Sequence, residues 1–131
     1  MTVASVIILG LLGWVGAVAF GVTLVLPLGV KALSIRGAAQ SALMRAHAPL
    51  GLSIPFLATA HAWIALPSGQ SGQISNAGLW LGTAALILMV VQCCLGLALW
   101  REAIGAPHLR RLHLTLMLVI LVLLGVHISL Y

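Results

Sequence analysis

From Val3 to Val30 the chain runs without one charged side chain, and three more predominantly apolar stretches follow, roughly Ser41 to Leu66, Ala77 to Trp100 and His108 to Tyr131. No other property limits the fold so sharply. A hydrocarbon core of about 30 Å is crossed by about 20 helical residues. Inside it no water is present to pair with peptide groups, and a helix satisfies its own. The expected fold is therefore all-α, an integral membrane four-helix bundle running up-down-up-down, with helices at about 3–30, 41–66, 77–100 and 108–131 of a single transmembrane domain, 1–131. Composition agrees: 63% of residues are hydrophobic and 5% charged, with a mean hydropathy of +1.24, which excludes a soluble globular domain. The first run has no basic segment before it, so it reads as a span and not as a cleaved leader.

Helix breakers fall between the runs. Pro67, Ser68, Gly69 and Gly72 separate the second from the third, and Gly105 and Pro107 separate the third from the fourth, with Pro107 suited to a first helical turn. Pro27, Pro49 and Pro55 lie within or near the ends of spans. Membrane helices accept such kinks where neighbouring groups satisfy the carbonyls that proline releases.

The formal charge of +5 comes from cations gathered in two places: Lys31, Arg36 and Arg45 around the first connection, and Arg101, Arg110 and Arg111 around the third. The connection from Pro67 to Asn76 carries none. Cytoplasmic loops concentrate Lys and Arg, so this distribution encodes topology and gives no reason to invoke nucleic acid. It places the first and third connections in the cytoplasm and both termini on the outer side of a bacterial-type inner membrane, with Trp63 and Trp80 in the outer aromatic belt and Trp100 in the inner one. The adjacent Cys93 and Cys94 could form only a badly strained disulfide and lack CxxC spacing, and they read as small apolar helix residues.

Four of the five histidines form two pairs, His47 with His61 in the second span and His113 with His127 in the fourth, each pair fourteen positions apart. Fourteen helical steps advance about 21 Å and return to within about 40° of the starting direction. Each pair thus shares a face, with one imidazole near each side of the membrane. Since the second and fourth spans run the same way in an up-down-up-down bundle, His47 is expected level with His113 and His61 level with His127. A haem between two helices needs one imidazole nitrogen on each side of its iron, and this pattern offers that twice. Gly82 and Gly96, also fourteen apart, are expected level with the outer and inner histidines, where a macrocycle needs small neighbours. The first span is glycine-rich, at Gly10, Gly13, Gly16, Gly21 and Gly29, without so clean a repeat. Gly51, Ile54 and Ala58 share the face of the first histidine pair, and Met117, Ile120 and Leu124 that of the second. Arg45, Arg110 and Arg111 are placed to pair with the inner haem propionates while also marking topology. His108, outside the pattern, reads as a solvated loop residue.

On His47/His61, His113/His127, Gly82 and Gly96, nearly the whole chain resembles the di-haem b-type cytochromes, above all the four-helix haem core of the cytochrome b subunit of quinol:cytochrome c oxidoreductases. In that family the second and fourth helices each carry two histidines with thirteen residues between them. The resemblance implies two b haems with His47, His61, His113 and His127 as iron ligands, and electron transfer involving the quinone pool. The start of the fourth span, Arg110 to His127, is also similar to small cytochrome b and ferric-reductase-like membrane domains. The chain lacks the further helices and the long quinol-site loop of the large cytochrome b subunits, and connections this short leave no room for a flavin, nicotinamide or iron–sulfur centre. Three functions stay open: an electron-transfer membrane subunit linking a redox partner subunit to quinone, a freestanding oxidoreductase acting on superoxide, a ferric chelate or another small acceptor, and a pigment-binding or structural small subunit of a membrane complex.

Overall fold

The computed structural model describes residues 3–32, 42–65, 76–102 and 107–130. They form four helices: α1 (Val3–Ala32), α2 (Ala42–Ala65), α3 (Asn76–Glu102) and α4 (Pro107–Ser129). The all-α architecture is as expected, and each helix is long and apolar enough to cross a membrane, which makes the chain a multi-pass membrane protein. Helix ends depart from expectation by one or two residues. α1 runs on to Ala32 and takes Lys31 into its last turn, where a cation complements the partial negative charge of exposed carbonyls. α4 begins on Pro107, whose missing N–H would be unpaired at a helix start in any case. The stretches holding Arg36, Pro67 to Gly72 and Gly105 lie outside the described residues.

Pro27 sits inside α1, and Pro49 and Pro55 inside α2, without ending either helix. Hydroxyl side chains within the spans return their hydrogens to the same helix. Thr23 Oγ1 donates to the Phe20 carbonyl at 2.7 Å, Ser53 to Leu50 at 2.7 Å, Thr59 to Pro55 at 2.7 Å and Thr83 to Leu79 at 2.9 Å. In lipid, where no water competes, this is how a polar group on an apolar helix avoids an unmade bond. Large apolar side chains face outward in all four helices, among them Trp14, Phe56, Trp80 and Val122. In water such a surface would aggregate, whereas in hydrocarbon it matches its solvent.

The chain forms two compact units, Met1–Ala62 and Trp63–Tyr131. In the first, α1 and α2 form an antiparallel hairpin. The carbonyl of Leu9, near the start of α1, meets His61 near the end of α2, and further along, Gly16 faces Leu57. In the second, α3 and α4 are antiparallel in the same way, Gly78 meeting His127 and Gln92 meeting His113. Small residues at these crossings let the backbones approach, the usual basis of helix association where no hydrophobic force drives it.

Candidate functional site

Within the first hairpin, the face of α2 that carries His47 and His61 turns away from the exposed surface. His47, Gly51, Ala58 and His61 are half-buried and Ile54 is 5% exposed, while Leu52, Phe56 and Trp63 face outward. In the second hairpin α4 repeats the pattern. His113, Met117, Leu124 and His127 are half-buried and Ile120 is fully enclosed, with Leu118 and Val122 outward. The fourteen-residue spacing therefore places each histidine pair on the inward stripe of its helix.

The ring nitrogens show how the imidazoles are held. His61 Nδ1 lies 3.1 Å from the Leu9 carbonyl oxygen, and His127 Nδ1 lies 2.9 Å from the Gly78 carbonyl oxygen. A carbonyl can only accept, so in both rings Nδ1 carries the hydrogen and donates it. In a neutral imidazole this leaves the lone pair on Nε2, the nitrogen then available to a metal.

Each ring also rests on the backbone one helical turn beyond its acceptor. A Cβ placed on Gly13 would come within 3.2 Å of the His61 ring, and one on Gly82 within 2.9 Å of the His127 ring. In an α-helix the carbonyl of one residue points toward the residue four positions on. A glycine there opens the groove through which a ring from the neighbouring helix reaches that carbonyl. Leu9 with Gly13, and Gly78 with Gly82, are two copies of one arrangement. Fourteen positions along α3 from Gly82 the small residue recurs as Gly96, where a Cβ would lie 3.4 Å from the His113 ring. Gly10, Gly21, Gly29, Gly51 and Gly125 have open space where a Cβ would be.

Gln92 adds a contact of its own. Its Nε2 donates to the His113 carbonyl oxygen at 3.0 Å, joining α3 to α4 at the level of that histidine. Its Oε1 is buried, with no hydrogen-bond partner among the described residues.

Family models, curated proteins and solved structures yield no match to this chain. Site chemistry therefore has to be argued from these residues alone. Arg45, Arg110 and Arg111 are exposed near the helix ends that bear His47 and His113, where cations can meet anionic groups at an interface. His108 is also exposed, at the start of α4. Cys93 is half-buried and Cys94 exposed, and both are free thiols. Among the described residues no three of His, Cys, Asp and Glu converge as they would around a bare metal ion.

Several residues of this arrangement carry no signal in the sequence alone. Leu9 and Gly78 act through backbone carbonyls, which every residue possesses. Gly13 is one of five glycines in the first span, and nothing in the residue itself separates it from the other four. Projecting the histidine depths back onto an antiparallel α1 would have singled it out, since Gly13 lies opposite His61 as Gly82 lies opposite His127.

Proposed function

We propose that the chain is a di-haem b-type membrane cytochrome that carries electrons across the bilayer, with His47 and His113 gripping one haem and His61 and His127 the other. The observation that carries this reading is the orientation of His61 and His127. Both donate Nδ1–H to a main-chain carbonyl, as imidazole ligands of metals commonly do, and both leave Nε2 as a lone-pair donor. A merely structural histidine in a membrane helix has no need to repeat one acceptor, one glycine and one spacing in two different hairpins. A porphyrin iron brings four nitrogens of its own and asks the protein for only two, so the pairs suit haem better than a bare ion.

When bound, haem supplies reversible one-electron chemistry. The protein's own contributions are distinct. The carbonyls of Leu9 and Gly78 fix ring orientation and increase electron donation by the imidazoles. Gly13, Gly82 and Gly96 leave space for the rings beside the backbone. The apolar stripes through Ile54 and Ile120 exclude water, and Arg45, Arg110 and Arg111 offer cations to propionates at the cytoplasmic interface. The donor and acceptor proposed here are a redox partner subunit and the quinone pool. The clustered cations orient both termini to the outer face of a bacterial-type inner membrane.

The test is spectroscopic. The chain purified in mild detergent should show reduced b-type bands and two haems per polypeptide. His61→Ala should remove one haem and leave the other. An absence of haem after expression with ample supply, chlorin bands in its place, or retention of both haems by the variant would overturn the assignment.

A further inference from the structure

Gly13, Gly82 and Gly96 each meet an imidazole, but Gly51 in α2 does not: a Cβ there would have no atom within 4 Å. Gly10, Gly21 and Gly125 have the same open space and are exposed, on outward surfaces where membrane helices readily accept glycine. Gly29 lies in the last turn of α1. Gly51 is placed differently. It is half-buried and stands one helical turn after His47, on the stripe that α2 builds from His47, Gly51, Ile54, Ala58 and His61.

That stripe is nearly symmetric about Ile54, seven positions from each histidine, with a small residue one turn in from either end: Gly51 four after His47 and Ala58 three before His61. The same places on α4, counted from His113 and His127, hold Met117 and Leu124. Of the two histidine stripes, only that of α2 is small beside its ligands. A glycine inside a helix gives up stability, because its backbone loses more freedom on folding and it has no side chain to pack. No atom described around Gly51 requires that loss, since a methyl group would fit there without displacing anything.

We infer that Gly51 seats the cofactor: its bare backbone leaves the face of the macrocycle held by His47 clear to lie against α2. This rests on the cytochrome reading and extends it to a residue outside the ligand sets. An axial imidazole stands on the normal to the porphyrin plane, so the plane runs along the helix that supplies the ligand. Four positions advance about 6 Å along that helix, which takes Gly51 from the level of the iron to the level of the outer macrocycle. A branched side chain at this position would stand between macrocycle and helix and hold the iron away from His47. The site at His61 has Ala58 in the corresponding place, so a change at Gly51 leaves it alone.

Haem content and haem-free stability, measured side by side, test this. Gly51→Leu should purify with one haem per chain, the one that His47→Ala retains, while Gly125→Leu, altered on the exposed face of α4, keeps two. Gly51→Ala should release the His47 haem to a scavenger about tenfold faster than wild type, the effect of modest overpacking, with the other haem unchanged. Prepared from a haem-deficient host, the same alanine variant should melt in detergent no earlier than haem-free wild type. Two haems with unshifted bands in Gly51→Leu, or an alanine variant that melts earlier without haem, would overturn the seating role and leave the cytochrome assignment standing. A wild-type chain without haem would instead remove the assignment itself. Should the leucine variant not accumulate, the alanine variant decides, and equal release rates would sink the inference.

Discussion

At the residue scale, the glycines that meet histidine rings form a graded series. A Cβ on Gly82 would lie 2.9 Å from His127 Cε1, closer than real contacts allow, and the ring cannot swing aside without giving up its 2.9 Å bond to Gly78. On Gly13 the same atom would be 3.2 Å from His61, and on Gly96 it would be an ordinary 3.4 Å from His113. Overpacking of a tight site commonly costs about 1–3 kcal/mol. On the proposed cytochrome reading, Gly82→Ala should therefore displace its imidazole and lower haem content from two toward one. Gly13→Ala should keep both haems with a weakened outer site, and Gly96→Ala should be nearly silent. Quantifying haem per chain checks the order, and a Gly96 variant more damaging than the Gly82 variant would contradict it. Gly21→Ala, with open space at its Cβ, is the neutral reference.

At the element scale, Gln92 tests what joins α3 to α4. Its bond to the His113 carbonyl resembles others between membrane helices, which contribute about 0.6 kcal/mol on average. Its buried Oε1 without a partner carries a penalty of about 1–3 kcal/mol. The penalty outweighs the bond. Gln92→Leu, similar in volume, should leave the hairpin equally stable or raise its resistance to denaturation in detergent by about 1 kcal/mol. A clear loss of stability would show that the tie between the helices matters more than the buried oxygen. The two hairpins also show what was readable at this scale. The spans, their antiparallel succession and the paired histidines follow from hydropathy and period, and helix ends differ from expectation by one or two residues, as at Ala32, Glu102 and Pro107. Hidden from that reading was the match between Leu9, Gly13 and His61 in one hairpin and Gly78, Gly82 and His127 in the other.

At the scale of the whole molecule, orientation follows from charge. With Lys31, Arg36 and Arg45 near one connection and Arg101, Arg110 and Arg111 near another, the positive-inside rule predicts that both connections face the cytoplasm and that Tyr131 lies on the outer side. Alkaline phosphatase fused after Tyr131 should be active in a bacterial host, and a green fluorescent protein fused there and exported through the general secretory route should stay dark. The opposite pair of signals would invert the topology and put the arginines, together with the haem proposed between His47 and His113, on the outer side.

The sequence by itself determined four membrane-length helices and two histidine pairs, because burial in hydrocarbon and the 3.6-residue period are local properties that each segment carries within it. Only tertiary structure decided which glycine of α1 accommodates His61, which carbonyls take the Nδ1 hydrogens, and that Gln92 reaches the backbone of His113. Those choices depend on how one helix is rotated and slid against its neighbour. The acceptors are main-chain oxygens, identical at every position, so no residue type marks them in advance.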